Sequence, residues 1–286
     1  MNILITGANG FIGRNAVEHF KQQGYNVHTA TSETLNLLDY QQIDDFFTRN
    51  KIDHVLHTAI KGGRRIKSDE PDIIYQNLLM FNNLLRHADK YKLLISLGTG
   101  AEFDRRRNIH EFKEEQFGQS VPIDHYGLSK YLIATQIQAA SLAYPRKFAN
   151  FRIFNCFGEG EAEGRMVSNS IKCCIESENI TVHQDKYLDF FYIKDLYKVV
   201  EYYIQNINKD LPRDINLCYN NKTRLTDIAK KIINLTNSEI EITLEYSARA
   251  HSYCGDGTLL DNLDIPLIGL EQGLQNTINY YLAKGE

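Results

Sequence analysis

The chain lacks the features that would send it to a membrane, a nucleic acid or an oxidising compartment. No apolar run is long enough to span a bilayer. Neither sign of charge dominates: the formal net charge is −4, which argues against nucleic acid or an anionic membrane as the main partner. Five cysteines, at 156, 173, 174, 218 and 254, show no paired metal spacing. The adjacent Cys173 and Cys174 fall in a helical stretch, where packing is the ordinary use. A reduced, cytoplasmic compartment suits them. The nine histidines contain no H-E-x-x-H or similar metal pattern, and His54 and His57 flank a buried strand. No metal ligand is expected. Internal repeats, low-complexity tracts and long linkers are missing, and tryptophan is absent without functional consequence. The N-terminus enters a strand at once, without the basic and apolar regions of a signal peptide. What remains is 286 residues, enough for one large domain or two small ones.

What is present begins at the first residues. Asn2-Ile3-Leu4-Ile5-Thr6 reads as a short buried strand, and Gly7-Ala8-Asn9-Gly10-Phe11-Ile12-Gly13 follows directly. A helical pattern then runs to Gln23, before Gly24. Glycines spaced G-x-x-G-x-x-G between a strand and a helix make a cradle for a dinucleotide pyrophosphate. The missing side chains let the backbone approach, and the helix N-terminus favours negative charge. Gly7, Asn9, Gly10, Phe11, Ile12 and Gly13 are therefore candidate coenzyme contacts.

Strand and helix signals then alternate, as βαβ units do around a parallel sheet. Strands are predicted near Tyr25–Thr31 and at His54–Ala59, Leu93–Leu97 and Phe151–Phe154. Helices are predicted over Gln41–Asn50, over Ile74–Leu85 behind Pro71, and from the cap Asp124 to about Tyr144. Gly98-Thr99-Gly100 reads as a break. After Gly158 the pattern is irregular, with helices at Met166–Glu176, from Asp195, over 225–236 and over Glu271–Leu282. The expected fold is α/β. It has a doubly wound parallel sheet in residues 1–158, with a returning segment near 188–208. A smaller, partly interleaved C-terminal α/β substrate domain covers 159–286. Ligands of open parallel sheets bind beyond the carboxyl ends of the strands, where Gly7, Ala59, Thr99 and Asn155 fall.

Tyr126 and Lys130 are four residues apart on one predicted helix, so both project from one face. A free tyrosine titrates near ~10. A nearby ammonium, and the positive ring of an oxidised nicotinamide, would lower that value. The phenol could then exchange a proton with a substrate alkoxide while Thr99 holds the same oxygen. Tyr-x-x-x-Lys arises often by chance as a solvated helix pair. The glycine turn and Thr99 give it meaning here.

With these motifs the chain resembles the extended short-chain dehydrogenase/reductase family of sugar-nucleotide epimerases, dehydratases and reductases, which have a Rossmann-type nucleotide domain. The resemblance extends to His57-Thr58-Ala59, the helix with Asn77, Phe151-Arg152-Ile153-Phe154-Asn155-Cys156-Phe157-Gly158 and Phe190-Phe191-Tyr192-Ile193-Lys194-Asp195-Leu196. Leu35-Asn36-Leu37-Leu38-Asp39 and Ile74-Tyr75-Gln76-Asn77 are similar to stretches of its fucose-synthase branch. The Phe-Phe-Tyr stretch is similar also to the paratose-type 4-ketoreductases. The resemblance implies hydride transfer at a hexose carbon, usually C4, with Thr99, Tyr126 and Lys130 as the triad. It implies coenzyme contacts from Thr58, Ala59, Ile60, Asn77, Tyr126 and Lys130. Gly100, Ala101, Asn155 and Arg165 would face the substrate. Homodimers packed through the 72–88 and 124–144 helices are the family expectation.

Departures narrow the reaction. The fucose-synthase branch epimerises through a cysteine two residues after its triad serine; here Ala101 stands there and cannot move a proton. The dehydratases carry Asp-Glu after their triad threonine; here those places are Gly100 and Ala101. Leu188 replaces an arginine that holds the substrate diphosphate in many relatives, and a basic residue near Thr258 is missing. Arg165, Lys186, Arg249 or the Arg64-Arg65 loop are candidates to supply that charge. An acidic residue about 20 positions past the glycine turn normally grips the ribose of NAD. Ala30, Thr31 and Ser32 stand there instead, so NADP(H) is preferred and NAD(H) remains open, with Glu33 close by. The expected activity is reduction of a nucleotide-activated 4-keto-6-deoxy sugar. Alternatives are a 4-epimerase with retained NAD and a catalytically silent dinucleotide sensor.

Overall fold

The computed structural model describes residues 1–63, 69–247 and 250–284. The Arg64-Arg65 loop and Arg249 lie outside the described residues. Among the described residues the chain alternates β1 (Asn2–Thr6), α1 (Phe11–Gln22), β2 (Asn26–Ala30), α2 (Tyr40–Arg49) and β3 (His54–His57). It continues through α3 (Asp72–Leu85), β4 (Leu93–Thr99), β5 (Ile109–Phe112), α4 (His125–Ala143) and β6 (Phe148–Ile153). Then follow β7 (Cys156–Phe157), α5 (Met166–Glu176), β8 (Ile180–Gln184), β9 (Phe191–Tyr192), α6 (Ile193–Gln205) and β10 (Asp214–Leu217). The last elements are α7 (Leu225–Thr236), β11 (Ile242–Tyr246), β12 (Tyr253–Gly255), α8 (Thr258–Asp261) and α9 (Leu270–Lys284).

Six strands form one parallel sheet in the order β10-β6-β4-β3-β1-β2. The inner strands β1 and β4 read as nearly continuous apolar runs because helices cover both faces. Ile3, Leu4 and Ile5 are fully buried, as are Val55 and Leu56 of β3. The helices meet the sheet with one stripe each: α1 buries Gly13, Ala16 and Phe20, and α2 buries Ile43 and Phe47. Asp39 starts α2 by accepting the Gln41 and Gln42 N–H groups at 3.0 and 3.2 Å. A core of Leu4, Val55, Phe81, Leu84, Leu94, Ile133 and Ile137 fills the space between β-sheet and helices.

The chain crosses from β2 to β3 on the other side of β1, so the strand order reverses at β1. That reversal opens a crevice beyond the carboxyl ends of β1 and β3, the position where open α/β sheets take ligands. β4 runs through Gly98 to Thr99 and does not break at Gly98. Thr99 is extended (φ −152°, ψ 149°), and the turn comes after it, in a 3-10 segment over Gly100–Phe103.

The chain divides into two compact units. The first comprises Met1–Arg106, Glu114–Arg152 and Val200–Ile215. The second comprises Arg107–Lys113, Ile153–Val199 and Asn216–Glu286. In the second, three two-stranded parallel sheets, β5 with β12, β7 with β9 and β8 with β11, accompany α5, which packs on α7. Among the described residues no helix is long and apolar enough to cross a membrane.

Candidate functional site

The glycine turn is built as the spacing predicts. Gly7 has φ +65°, and its carbonyl accepts the Gly10 N–H at 2.9 Å. A Cβ on Gly7 would lie 2.8 Å from the Ala59 backbone, and one on Gly13 would lie 2.2 Å from the Gly7 oxygen. These two glycines therefore serve close packing of β1, α1 and the β3 end. Gly10 differs. It is exposed, and a Cβ there would meet only the Gly7 oxygen, at 3.3 Å. Its bareness serves whatever approaches from outside. As N-cap of α1, Gly10 puts no side-chain acceptor on the first-turn N–H groups, and that turn holds no acidic residue. This cradle fits a dinucleotide pyrophosphate.

One hydroxyl organises the crevice. Thr6 Oγ1 accepts the N–H groups of Thr58 and Ala59, both at 3.1 Å, and bonds His57 Nδ1 at 2.9 Å. Its single proton goes to Nδ1, so the imidazole carries its proton on Nε2. Burial holds His57 neutral, its pKa pushed down to about 3. Thr58 Oγ1 donates back to the Thr6 carbonyl at 2.6 Å. At the end of β2, Ala30 is buried, and Thr31 is spent on its own turn, bonded to Thr34 and the Glu33 N–H. Ser32 and Glu33 are exposed beside it.

Thr99, Tyr126 and Lys130 come together in the first unit. Asp124 caps α4 by accepting the Gly127 N–H at 2.8 Å, which fixes the turn that carries Tyr126. The Thr99 side chain hydrogen-bonds the Tyr126 hydroxyl. Lys130 is buried, and its Nζ reaches back to the Leu97 carbonyl of β4 at 2.5 Å. Asn77 ties the assembly to the loop after β3: it pairs with the Lys61 N–H and C=O at 2.8 and 3.0 Å, and donates to Ser129 Oγ at 3.0 Å. Gly63 lies against the Tyr126 ring, where a Cβ would be 2.7 Å from Cε2. The Arg105 guanidinium sits 6.0 Å from the same ring centroid and pairs with Asp124.

The electrostatics correct one expectation. The chain's own groups raise the Tyr126 pKa: burial dominates, Glu102 and Asp124 add to it, and the Thr99 hydrogen bond and Arg105 oppose it. Lys130 turns its Nζ to the Leu97 carbonyl. Burial pushes Lys130 down to about 8, against the support of Glu102.

Ala101 is buried beside Thr99, and Gly100 opens the 3-10 turn. Asn155 and Arg165 belong to the second unit, where Asn155 Oδ1 accepts from Arg165 Nη2. Arg165 Nε also pairs with Glu161 at 3.2 Å. Leu188 is buried. Sequence reasoning passed over two residues next to the triad, Glu102 and Arg152. Both left a signal: Thr99-Gly100-Ala101-Glu102 has capping-box spacing, and Arg152 is a charge inside a buried strand. Among the described residues, no group of three His, Cys, Asp or Glu could hold a metal.

Residues 3–218 match the family described as the NAD dependent epimerase/dehydratase family. GDP-L-colitose synthase of Yersinia pseudotuberculosis is 24% identical over 306 residues, covering 99% of this chain and 98% of that protein. Among solved structures, a GDP-mannoheptose C4 reductase from Campylobacter jejuni with NADP bound superposes with a TM-score of 0.85. It is 21% identical and covers 98% of each chain. The Thermus thermophilus UDP-glucose 4-epimerase complex with NAD gives 0.76 at 17% identity over 99% of each. At such identities the structural likeness establishes the fold.

Proposed function

The chain belongs to the NAD-dependent epimerase/dehydratase family, and from that premise we propose that it is an NADPH-dependent reductase of a nucleotide-activated 4-keto-6-deoxy sugar, acting in glycan or surface-polysaccharide precursor synthesis. The observation that carries this reading is the placement of Tyr126: its hydroxyl is hydrogen-bonded to Thr99, and buried Lys130 follows one turn along α4. A protonated phenol is an acid, and ketone reduction needs an acid at the nascent alkoxide.

A bound nicotinamide would supply the hydride. Gly7, Asn9, Gly10, Phe11, Ile12 and Gly13 would hold its pyrophosphate, and Thr58, Ala59 and Ile60 would line the crevice. Tyr126 gives its hydroxyl proton to the substrate oxygen. Thr99 orients that oxygen, and Lys130 keeps positive charge beside the developing phenolate. Ala101 has no proton to move, which supports simple reduction over reaction at neighbouring carbons. Asn155 and Arg165 would contact the sugar nucleotide. Ala30, Thr31 and Ser32 place no carboxylate against a 2′-phosphate, which supports NADP(H) over NAD(H).

The test is NADPH oxidation against GDP-, dTDP-, CDP- and UDP-4-keto-6-deoxy sugars, each made in place by a dehydratase. Wild type should oxidise NADPH with one nucleotide, and Tyr126→Phe should lose about 10²-fold or more in kcat, as loss of an acid predicts. Silence with all four sinks the reading. NAD retained through purification, with 4-epimer interconversion and no added reductant, establishes the epimerase instead.

A further inference from the structure

Behind the triad lies a buried ionic group that the chemistry above does not use. Glu102 and Arg152 are both fully buried. Glu102 Oε1 accepts the Thr99 N–H at 2.9 Å. Its Oε2 accepts from Arg152 Nε at 2.6 Å and from Asn150 Nδ2 at 3.1 Å. Arg152 Nη2 donates to Asp214 Oδ1 at 2.8 Å, and its guanidinium lies over the rings of Phe117 and Phe103, at 4.7 and 5.3 Å from their centroids.

Stability alone does not account for this group. Well-packed apolar side chains of similar volume commonly serve a core as well as a buried ion pair or better. Placement is the better explanation. One carboxylate oxygen fixes the backbone of Thr99, the residue bonded to the Tyr126 hydroxyl. The other ties that point to β6 and, through Arg152, to Asp214 at the start of β10. Gly98 confirms how closely the group is fitted: a Cβ there would be 2.4 Å from both Glu102 Oε1 and Asn150 Oδ1. Glu102 also acts on both triad side chains that exchange or steady a proton. Facing Tyr126 are Thr99, Glu102, Arg105 and Asp124, and facing Lys130 are Glu102 and His57. Asp214 faces Glu102, and Glu114 faces Arg152. Of these, Glu102 is the carboxylate that acts on Lys130.

We propose that Glu102, braced by Arg152, is a positioning residue of the site, fixing Thr99 against the Tyr126 hydroxyl and setting its charge toward Lys130. This rests on the reading of Thr99, Tyr126 and Lys130 as the reacting triad.

The test compares wild type with Glu102→Gln and with the double variant Glu102→Gln/Arg152→Met. The double variant leaves no orphaned cation, so it guards against a single variant that fails to fold. Lys130 is titrated by NMR of [13Cε]lysine-labelled protein, with its resonance assigned by its loss in Lys130→Met. Both Glu102 variants should lower the Lys130 titration by about one pH unit, as removal of an opposite charge does. In the NADPH assay kcat should fall about tenfold or more, with coenzyme Kd within about twofold, since the loss lies in transition-state alignment. A merely structural role would lower the melting temperature and leave Lys130 where it was. A Lys130 titration within about 0.2 pH unit of wild type in both variants overturns the inference, as does unchanged kcat in an active enzyme. Wild type that reduces none of the sugars removes the ketoreductase reading, and the titration still decides the role of Glu102.

Discussion

Replacing Lys130 by methionine should make the protein more stable while abolishing its activity. Lys130 is 4% exposed, and its pKa falls from 10.5 to about 8, chiefly through burial. At about 1.36 kcal/mol per pH unit, keeping the buried ammonium charged at pH 7 costs about 3 kcal/mol. Methionine removes that cost. It also removes the charge-assisted hydrogen bond to the Leu97 carbonyl, about 1.5 kcal/mol. The net gain is about 2 kcal/mol, or roughly 4 °C in Tm for a chain of this size. The pH dependence has a definite sign. Because the folded-state pKa is depressed, the cost is full below about pH 8 and fades as pH rises through 8 toward 10.5. The advantage of the variant should therefore shrink between pH 7 and pH 10. The assay is thermal melting of both proteins by circular dichroism at the two pH values, without coenzyme, since binding would itself stabilise wild type. A variant no more stable than wild type at pH 7, or a difference that does not change with pH, would refute the reasoning.

The glycines of the turn should separate by role. Gly13→Ala forces a Cβ to 2.2 Å from the Gly7 oxygen and should cost about 1–3 kcal/mol of stability, read by urea denaturation. Gly10→Ala meets one atom at 3.3 Å and should melt near wild type while weakening coenzyme binding about tenfold or more, read by fluorescence titration. Equal loss of stability in both would contradict the assignment. Ser32→Asp should reverse the coenzyme preference by setting a carboxylate against a 2′-phosphate, and competitive titration of NADPH and NADH would show it. We further expect a homodimer through α3 and α4, on which Tyr75 and Leu142 are 68% and 86% exposed. Sedimentation of wild type as a monomer at micromolar concentration would exclude it.

Regular elements were legible in the sequence wherever local pattern decides them. The helices at Met166–Glu176 and 225–236 appear with the bounds their apolar periodicity implies, and Asp124 caps α4 as its type and place suggest. The glycine spacing marked the turn between β1 and α1, and Tyr-x-x-x-Lys marked two residues one turn apart on α4. What stayed hidden depends on distant partners. β5 and β12 are three or four residues long and pair across a separation of 144 between Ile109 and Tyr253, which no local period records. Gly98 reads as a breaker, yet it stays in β4 because Glu102 and Asn150 leave no room for a side chain there. The direction of the Tyr126 shift was missed because burial is a property of the assembled site, and it outweighs the Thr99 hydrogen bond and Arg105.

The close fit around Gly98 also bears on how this site could have arisen. A side chain at position 98 would displace both the Glu102 carboxylate and the Asn150 amide, each 2.4 Å from its Cβ. These three positions cannot drift singly. A lineage that gains a side chain at 98 must first surrender the acid at 102, and with it the partner of Arg152. Among relatives, positions 98, 102, 150 and 152 should therefore change as a block, with abrupt switches between an ionic and an apolar form of the same corner and few intermediates between them.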